Sequence, residues 1–568
     1  MTNAAPASNG LTYRQTMTVL SGLLLGMFLA GLDQTVVATA ARTIGDDLGG
    51  LDQQAWLTTA FLITSTITTL LYGKLSDIFG RKRLYMIAIA LFIGGSALCG
   101  LATSMPMLAA FRAVQGLGAG GLMSLAFAII GDIVPPRERA KYQGYFAATM
   151  ALSSVLGPVV GGLFAGIPTL VGIDGWRWVF WVNLPIGLAA LLIVAKTLHV
   201  DQAVKHPRVD YLGAALVAIA VVPALLVGEQ GSEWGWASAA AIVCYVVAAA
   251  GAAGFIWRQI RMGTDALLPL GMFRSRAFSV PAGLAFALGL LQLGGVAILP
   301  LYLQISHAAT PTESGLLMLP MVLGISGASV LSGIYTSKTG RYKILPILGM
   351  ALLLVAYIGL VTVHTETPVL VIDIWMLLLG VGTGMAMNTT VLAMQNAVAP
   401  TQMGIAVASG TFFRNLGGTT GTAVLLSVLF SKALTAITAS YTAAENTPAF
   451  QAAVNAHPEQ AETLRAGLAG GLSDTSFLTG LDPALARPFI DGFAQAMNVT
   501  AIIGVVVAAA GFVLALFMRE KPLSTKAGNA LRAEAAVSDS KTGTATEIPL
   551  MGVESAAQNM ARKKWEFD

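Results

Sequence analysis

Two charged residues lie inside long apolar stretches of this 568-residue sequence, and they are the residues best suited to move a proton. Asp33 lies in the apolar run 17–38, and Arg112 lies in the run 107–130. A charged side chain inside a spanning helix is energetically unfavourable and usually functional. Burial favours the neutral form of a carboxyl group, whereas a nearby arginine favours the carboxylate. If both helices face one cavity, Asp33 can pair with Arg112 when deprotonated and release it when protonated; the alternative is a purely structural ion pair.

The elements that must position these residues are apolar helices. Hydrophobic residues make up 55% of the sequence and charged residues only 11%, whereas soluble domains carry about 25% charged residues. The apolar residues occur in runs of about twenty, the length of a helix that crosses a bilayer. The sequence therefore predicts an all-α membrane protein with fourteen spanning helices, near 17–38, 56–75, 84–103, 107–130, 141–166, 178–198, 211–228, 237–257, 279–303, 312–336, 344–363, 369–392, 402–430 and 493–518.

The basic residues are distributed unevenly between these runs. With the N-terminus in the cytoplasm, 18 lysines and arginines lie in cytoplasmic loops and 8 in the C-terminal tail, whereas only 5 lie in outer segments. Because loops rich in lysine and arginine stay in the cytoplasm, both termini are predicted to be cytoplasmic, in a bacterial inner membrane. The formal charge of +4 does not suggest nucleic-acid binding. The predicted segments are a cytoplasmic N-terminus (1–16), a six-helix half (17–198), an insert with helices 7 and 8 (199–278), a second six-helix half (279–518) that includes an outer loop (431–492), and a disordered cytoplasmic tail (519–568).

The sequence also contains an internal repeat. Segment 73–83 matches segment 333–343 at a shift of 260 residues, and the same shift takes Gly144 to Gly404. Secondary transporters are built from such repeats, with the substrate site between the two halves near the middle of the membrane. We therefore expect two related six-helix halves that enclose a shared cavity.

The turn between the second and third runs carries charges in a regular pattern. It contains Gly73, Asp77, Gly80 and Arg81, and two more basic residues follow. A glycine at position 73 allows close helix packing, and Asp77 is placed to accept hydrogen bonds from the start of the next helix. Arg81 can reach Asp132 at the inner end of the fourth run. The alternative is a plain basic turn.

The fifth run carries small residues and a proline along much of its length. They are Gly144, Ser153, Gly157, Pro158, Gly161 and Gly162. Such residues let a spanning helix bend and approach a neighbour closely. We therefore expect this helix to press against the other half, with simple packing as the alternative.

These motifs resemble those of one membrane-protein family. Residues 32–40 (Leu-Asp-Gln-Thr-Val-Val-Ala-Thr-Ala) resemble the helix-1 signature of the fourteen-helix drug:proton antiporters of the major facilitator superfamily. The turn 73–83 resembles the cytoplasmic signature of that superfamily, which latches one conformation of the carrier. Residues 112–121 resemble a second signature, and the fifth run resembles the motif typical of antiporters. The resemblance implies a major facilitator fold and proton-coupled export.

The resemblance covers roughly residues 11–430 and 493–520, and it departs from the family pattern at two places. The family usually has glycine where Ser153 stands. It commonly continues Leu-Pro where this sequence has Ala41 and Arg42.

Polar residues on several runs are candidates for the substrate cavity, and each can instead form hydrogen bonds between helices. A cavity whose only carboxylate is Asp33 suits neutral or singly cationic lipophilic compounds. The candidate cavity residues are Gln115, Gln292, Tyr302, Gln304, Asn388, Gln395, Arg414 and Asn415.

The sequence thus predicts an exporter that exchanges lipophilic drugs or antibiotics for protons. The alternative is export of an endogenous lipid or lipid-linked molecule; the antiporter motif argues against an importer. No nucleotide-binding loop, metal cluster or nucleophile pattern indicates an enzyme. We expect no cofactor other than the proton gradient, a monomer, and small lipophilic substrates, protons and membrane lipids as partners.

Overall fold

The computed structural model describes residues 13–48, 55–198, 210–263, 266–307, 309, 311–399, 402–469 and 480–523. These residues form a bundle of α-helices with one short antiparallel hairpin, β1 (Thr169–Leu170) and β2 (Ile173–Asp174). The helices are α1 (Tyr13–Asp47), α2 (Ala55–Phe79), α3 (Arg81–Cys99), α4 (Met105–Ile133), α5 (Pro136–Gly166), α6 (Trp178–Trp181), α7 (Asn183–Thr197), α8 (Tyr211–Trp234), α9 (Ala239–Met262), α10 (Arg276–Ser306), α11 (Pro311–Leu317), α12 (Leu319–Thr339), α13 (Ile344–Val361), α14 (Val369–Ala397), α15 (Met403–Glu445), α16 (Pro448–Ala456), α17 (Pro458–Ala469) and α18 (Pro483–Leu516).

Thirteen helical segments in the described parts of the chain are long and apolar enough to cross a membrane. The sequence predicts fourteen. The predicted run 56–75 lies in α2, which has 25 residues but contains six threonines, and α2 is not among the thirteen. The count of fourteen therefore stays a prediction, as do the proposed segment boundaries.

Several predicted runs differ from the observed helices, and two of the differences concern the sixth and thirteenth runs. The span near the sixth run begins earlier, at Gly175, and consists of a 3-10 turn, α6 and α7. The thirteenth run (402–430) is shorter than α15, which continues to Glu445. The predicted outer loop therefore begins as a helix, and α16, α17 and the start of α18 follow. Residues 470–479 of that loop, like most of the predicted tail, lie outside the described residues.

The core is divided between two groups of helices. One apolar cluster is built mainly from α1, α3, α4, α5 and α7, which form the first half. Another is built from α10, α12, α13, α14, α15 and α18, which form the second half. The inserted helices α8 and α9 pack on each other, and α8 also contacts α2 of the first half and α15 of the second. The insert therefore lies beside the junction of the two halves.

The two halves meet at one end of the bundle, which carries the turn from α2 to α3 and is called here the basic end. Gly73 of α2 packs against Gly404 and Ala408 of α15, and a side chain at position 73 would overlap both. Gly144 of α5 packs in the same way against Val330 of α12. These close approaches require glycine, and they close the bundle at the basic end.

Polar side chains reinforce this closure. Asn388 Nδ2 on α14 donates to Gln143 O on α5 at 3.2 Å, and Gln395 Nε2 on the same helix donates to Phe127 O on α4 at 3.2 Å. Towards the opposite end of the bundle, Leu293 of α10 is 42% exposed. These two hydrogen bonds thus fasten α14 to the first half at the basic end.

Candidate functional site

The two charged residues singled out in the sequence form a buried ion pair. Asp33 on α1 is 0% exposed and Arg112 on α4 is 1% exposed. Arg112 Nη1 lies 2.5 Å from Asp33 Oδ2. The other carboxylate oxygen, Oδ1, accepts hydrogen bonds from Gln115 Nε2 and Asn183 Nδ2, both at 2.8 Å. Asp33 therefore accepts hydrogen bonds from three side-chain donors, one of them charged.

This ion pair belongs to a polar network that reaches five helices of the first half. Arg112 Nε donates to Leu57 O on α2 at 2.9 Å. Gln115 and Asn183 also donate to Ser96 Oγ on α3, at 3.2 and 3.0 Å. We call Asp33, Ser96, Arg112, Gln115 and Asn183 the Asp33 network. Because its members share partners, removal of one charge changes contacts on several helices at once.

Two members of the Asp33 network, Asn183 and Ser96, were not predicted as site residues. An asparagine at the start of the apolar run 178–198 is the feature that could have identified Asn183, because intramembrane polar groups find partners. Asn183 Oδ1 is buried and has no hydrogen-bond partner among the described residues. The amide can present either of its atoms, so its oxygen is available to a proton carried by Asp33.

The small residues of α5 divide between two neighbouring helices. As predicted, α5 presses on the second half, where it packs along α12 at Gly144. Ser153, Gly157 and Gly161 pack on α1 of the first half. A side chain at Gly157 would overlap Thr35 of α1, and one at Gly161 would lie 2.7 Å from Val36 O. Ser153 Oγ donates to Phe28 O of α1 at 3.2 Å. The α5 motif thus supports the turn of α1 that carries Asp33.

Two predicted members of that motif have a different environment. Pro158 lies inside α5 with its side chain exposed, and Gly162 is exposed with no atom within 4 Å of a Cβ built on it. Neither packs tightly on α1. Their part in bending α5 stays a prediction.

The turn at the basic end holds a second buried charge cluster. Arg81 Nε lies 2.7 Å from Asp132 Oδ2, its Nη2 lies 2.6 Å from Asp77 Oδ1, and its Nη1 donates to Ser76 Oγ at 2.5 Å. The side chains of Arg81 and Asp132 are both 0% exposed. We call these four residues the Arg81 cluster. The contact of Arg81 with Asp132 is the one that the sequence predicts.

Asp77 meets the start of the next helix, as predicted, through Arg81, the first residue of α3, and it also contacts the second half. Its carboxylate pairs with the Arg81 side chain and lies beside Gly404, in the first turn of α15. The N-terminus of a helix favours a negative charge. Asp77 therefore links the first half to the second. Gly80 supplies the turn, with φ of +94°, a conformation that favours glycine.

The eight candidate cavity residues do not form one group; several form hydrogen bonds, the alternative given for each, and their place in a cavity stays a prediction. Gln115 belongs to the Asp33 network, and Asn388 and Gln395 lie in the closure at the basic end. Tyr302 and Gln304 form hydrogen bonds within the second half, near the opposite end. The remaining candidates are Gln292, Arg414 and Asn415, which are partly exposed.

A cleft that the sequence does not predict lies at the opposite end of the bundle. It has a volume of about 590 Å³ and is enclosed by the turn at His364, the extension of α15 and the first part of α18. Arg487 forms ion pairs there with Glu366 and Asp491. Charged side chains therefore lie at the opening of the cleft.

Comparisons with known proteins agree with this architecture. A model described as the Major Facilitator Superfamily matches residues 23–422 of the chain. Multidrug transporter protein MdtP of Bacillus subtilis is 34% identical over 412 residues, which cover 72% of this chain and 75% of MdtP. Multidrug resistance protein 3 of the same species is 29% identical over 516 residues, which cover 90% of this chain and 97% of that protein.

Solved structures resemble the chain in fold. The proton:xylose symporter XylE superposes with a TM-score of 0.56 at 15% identity, covering 92% of this chain and 100% of XylE. A similarity at this level of identity concerns the fold alone.

Proposed function

The chain belongs to the major facilitator superfamily and is a multi-pass membrane transporter, not an enzyme, and from this premise we propose that it exports lipophilic compounds in exchange for protons. The predicted family and fold are confirmed by the same comparisons. The relatives named as multidrug transporters support efflux. The observation that carries proton exchange is the Asp33 network, because a carboxylate enclosed at 0% exposure by three donors has two distinct states, charged and neutral.

Protonation of Asp33 changes the network in a defined way. A neutral carboxyl group no longer balances the charge of Arg112, and its proton needs an acceptor, for which Asn183 Oδ1 is available. Arg112 is also tied to Leu57 O of α2, so its release loosens α1 from α2 and α4. Ser153 and Gly157 pack α5 on the next turn of α1, so movement there reaches α5. Because α5 contacts α12 at Gly144, this movement reaches the second half.

The direction of transport follows from the closed basic end. Basic segments remain in the cytoplasm, so we assign this end and both termini to the cytoplasmic side of a bacterial inner membrane. The conformation described is then closed to the cytoplasm. In this state a proton from outside loads Asp33 and substrate leaves; the proton is released when the halves rock and the basic end opens.

The charge of Asp33 bears on which compounds the protein exports. The sequence predicts neutral or singly cationic drugs because Asp33 is the one carboxylate well inside an apolar run. In this conformation Asp33 is completely enclosed by its own half, so it presents no charge to a substrate. Export of an endogenous lipid remains the second candidate, favoured by the cleft beside the α15 extension, which can receive a molecule outside the membrane.

Proton exchange can be measured with purified protein in liposomes whose lumen is acidified and contains a pH-sensitive dye. Addition of a lipophilic substrate, such as ethidium or a fluorescent phospholipid, is expected to raise the luminal pH as protons leave in exchange. Liposomes without protein should show no change. Substrate movement that leaves the luminal pH constant would refute antiport, and a response to the lipid alone would select the second candidate.

The assigned orientation predicts which residues can be reached from outside an intact cell. In a Cys244→Ser background, a cysteine at exposed position Glu459 of α17 should react with a membrane-impermeant maleimide. A cysteine at Ser540, in the tail outside the described residues, should react only after the cells are permeabilised. The reverse pattern would place the basic end outside.

A further inference from the structure

Arg414 is an intramembrane cation that the proton-exchange site does not use. It lies on α15, eleven residues after the helix begins at Met403. At 1.5 Å per residue this places it about 16 Å from the basic end, close to the middle of a hydrocarbon core that is about 30 Å thick. Major facilitator proteins bind their substrates at this depth, between the halves.

The side chain of Arg414 faces the first half of the protein. Met403, Val407 and Arg414 follow one another at spacings of four and seven residues, which is one face of a helix. Met403 packs against Gly131 of α4, and Val407 is part of the apolar core of the first half. Arg414 is on the same face, about two turns beyond the point where the halves touch.

Its one described polar contact supports this placement. Arg414 Nη1 lies 3.6 Å from the sulfur of Met387 on α14. Val391, one turn further along α14, packs against the core of the first half. The guanidinium group therefore lies between α14 and α15 on the side that faces the first half, and it is partly exposed.

Arg414 has no counter-ion within the described parts of the chain. None of the salt bridges there involves it, and Asp33 is enclosed and committed to Arg112. An unpaired charge at this depth is energetically unfavourable unless a ligand compensates it. Arginine presents donors in a planar fork that matches a carboxylate or phosphate group.

An apolar surface lies next to this charge. Leu293 of α10 packs beside Gly418, one turn along α15 from Arg414, and remains 42% exposed. The backbone of Arg414 itself packs on Gly289, one turn before Leu293 on α10. A charged group and an apolar group are thus adjacent on one face, as a site for an amphiphilic molecule requires.

We propose that Arg414 binds the anionic group of the substrate, and that the exported compounds are lipophilic monoanions with one carboxylate or phosphate group. This proposal rests on the proposed export function and names its substrate class. The apolar body of the substrate lies along α10 at Leu293, and the anion replaces the counter-ion that Arg414 lacks. It differs from the sequence-based prediction of neutral or cationic compounds because the free charge between the halves is positive.

Binding of matched probes to detergent-purified protein tests the proposal without a proton gradient. The probes are pyrenebutyrate, which is anionic, pyrenebutanol, which is neutral, and lysophosphatidate compared with lysophosphatidylcholine. We expect wild-type protein to bind an anionic probe about 10-fold more tightly than its partner, as charge-assisted hydrogen bonds allow. Arg414→Gln should abolish the preference and Arg414→Lys should keep part of it. Lys432→Gln, which changes an exposed cation on the same helix, should keep all of it.

The outcomes identify the source of the anion, and they distinguish the role of Arg414 from the proposed export function. An Arg414-dependent preference for pyrenebutyrate supports a free carboxylate, and one for lysophosphatidate alone supports a lipid headgroup. No preference in wild type, or a preference that persists in a folded Arg414→Gln protein, overturns this inference. Proton exchange with pyrenebutanol tests export independently. If wild type and Arg414→Gln both exchange protons for pyrenebutanol and neither prefers an anionic probe, antiport stands and the role of Arg414 is refuted.

Discussion

Asp33→Asn should reduce pH-gradient-driven transport to the level of liposomes without protein, while exchange of labelled for unlabelled substrate continues. An amide keeps the shape of the side chain but cannot take up or release a proton. Its single oxygen can still accept from Arg112, which donates to Asp33 Oδ2 at 2.5 Å in the wild-type protein. Its amino group replaces Oδ1 and can donate to Asn183 Oδ1, as a protonated Asp33 would. The mutant should therefore fold and bind substrate but lose coupling. Uphill transport and gradient-free exchange, measured on the same preparation, distinguish these effects.

Asp47→Asn is the matched control for this substitution. It makes the same chemical change on the same helix, but Asp47 is exposed and accepts a hydrogen bond from Trp176 near the end of α1. Coupled transport should survive it. If a well-folded Asp33→Asn protein retains full gradient-driven transport, Asp33 is a structural partner of Arg112 and the proton site lies elsewhere.

Arg81→Ala should destabilise the protein more than any other single change at the basic end. It removes Arg81 from the buried Asp132 carboxylate, and breaking a buried pair in this way costs about 3–5 kcal/mol. It also removes the ion pair with Asp77 beside the first turn of α15. We expect a lower thermal midpoint in detergent and less folded protein in the membrane. Asp132→Asn in the same chain should restore part of the loss, because it removes the buried charge that Arg81 balanced.

Arg83→Ala provides the control, since Arg83 is two residues further along α3 and exposed. Its effect should stay within about 0.5 kcal/mol, as for most surface substitutions. Asp77→Asn should give a third result: normal protein levels with slower turnover, because the contact with α15 weakens while Arg81 keeps Asp132. Equal thermal midpoints for Arg81→Ala and Arg83→Ala would exclude a stabilising role for the Arg81 cluster.

Charged residues were the most informative part of the sequence. Asp33 and Arg112 were expected to meet because each is unfavourable alone in a membrane, and few partners can satisfy either. Arg81 and Asp132 were linked by a different argument, because the turn after α2 and the inner end of the fourth run lie on the same side of the membrane. Asn183 was missed because a neutral amide is tolerated in many positions, so its presence in an apolar run specifies no partner.

Packing partners were harder to predict. The glycines of α5 show that a neighbour approaches closely, but they do not identify it; the structure places α1 beside Gly157 and α12 beside Gly144. Which of the candidate cavity residues line a cavity was not predictable for a similar reason, since polarity alone does not separate a cavity from a hydrogen bond between helices. The length of α15 was missed because an apolar run measures the thickness of the bilayer, and a helix can continue into water.

That length has a mechanical consequence. At 1.5 Å per residue, the 43 residues of α15 form a shaft about 64 Å long, roughly twice the thickness of the hydrocarbon core. Ile437 near its far end packs on Gly492 of α18, which braces it. α15 begins at the closed basic end and ends at Glu445. A small tilt of the helix at the basic end therefore displaces its far end by a larger distance. In the orientation proposed above, an antibody bound to this end outside the cell is therefore expected to slow transport without entering the cavity.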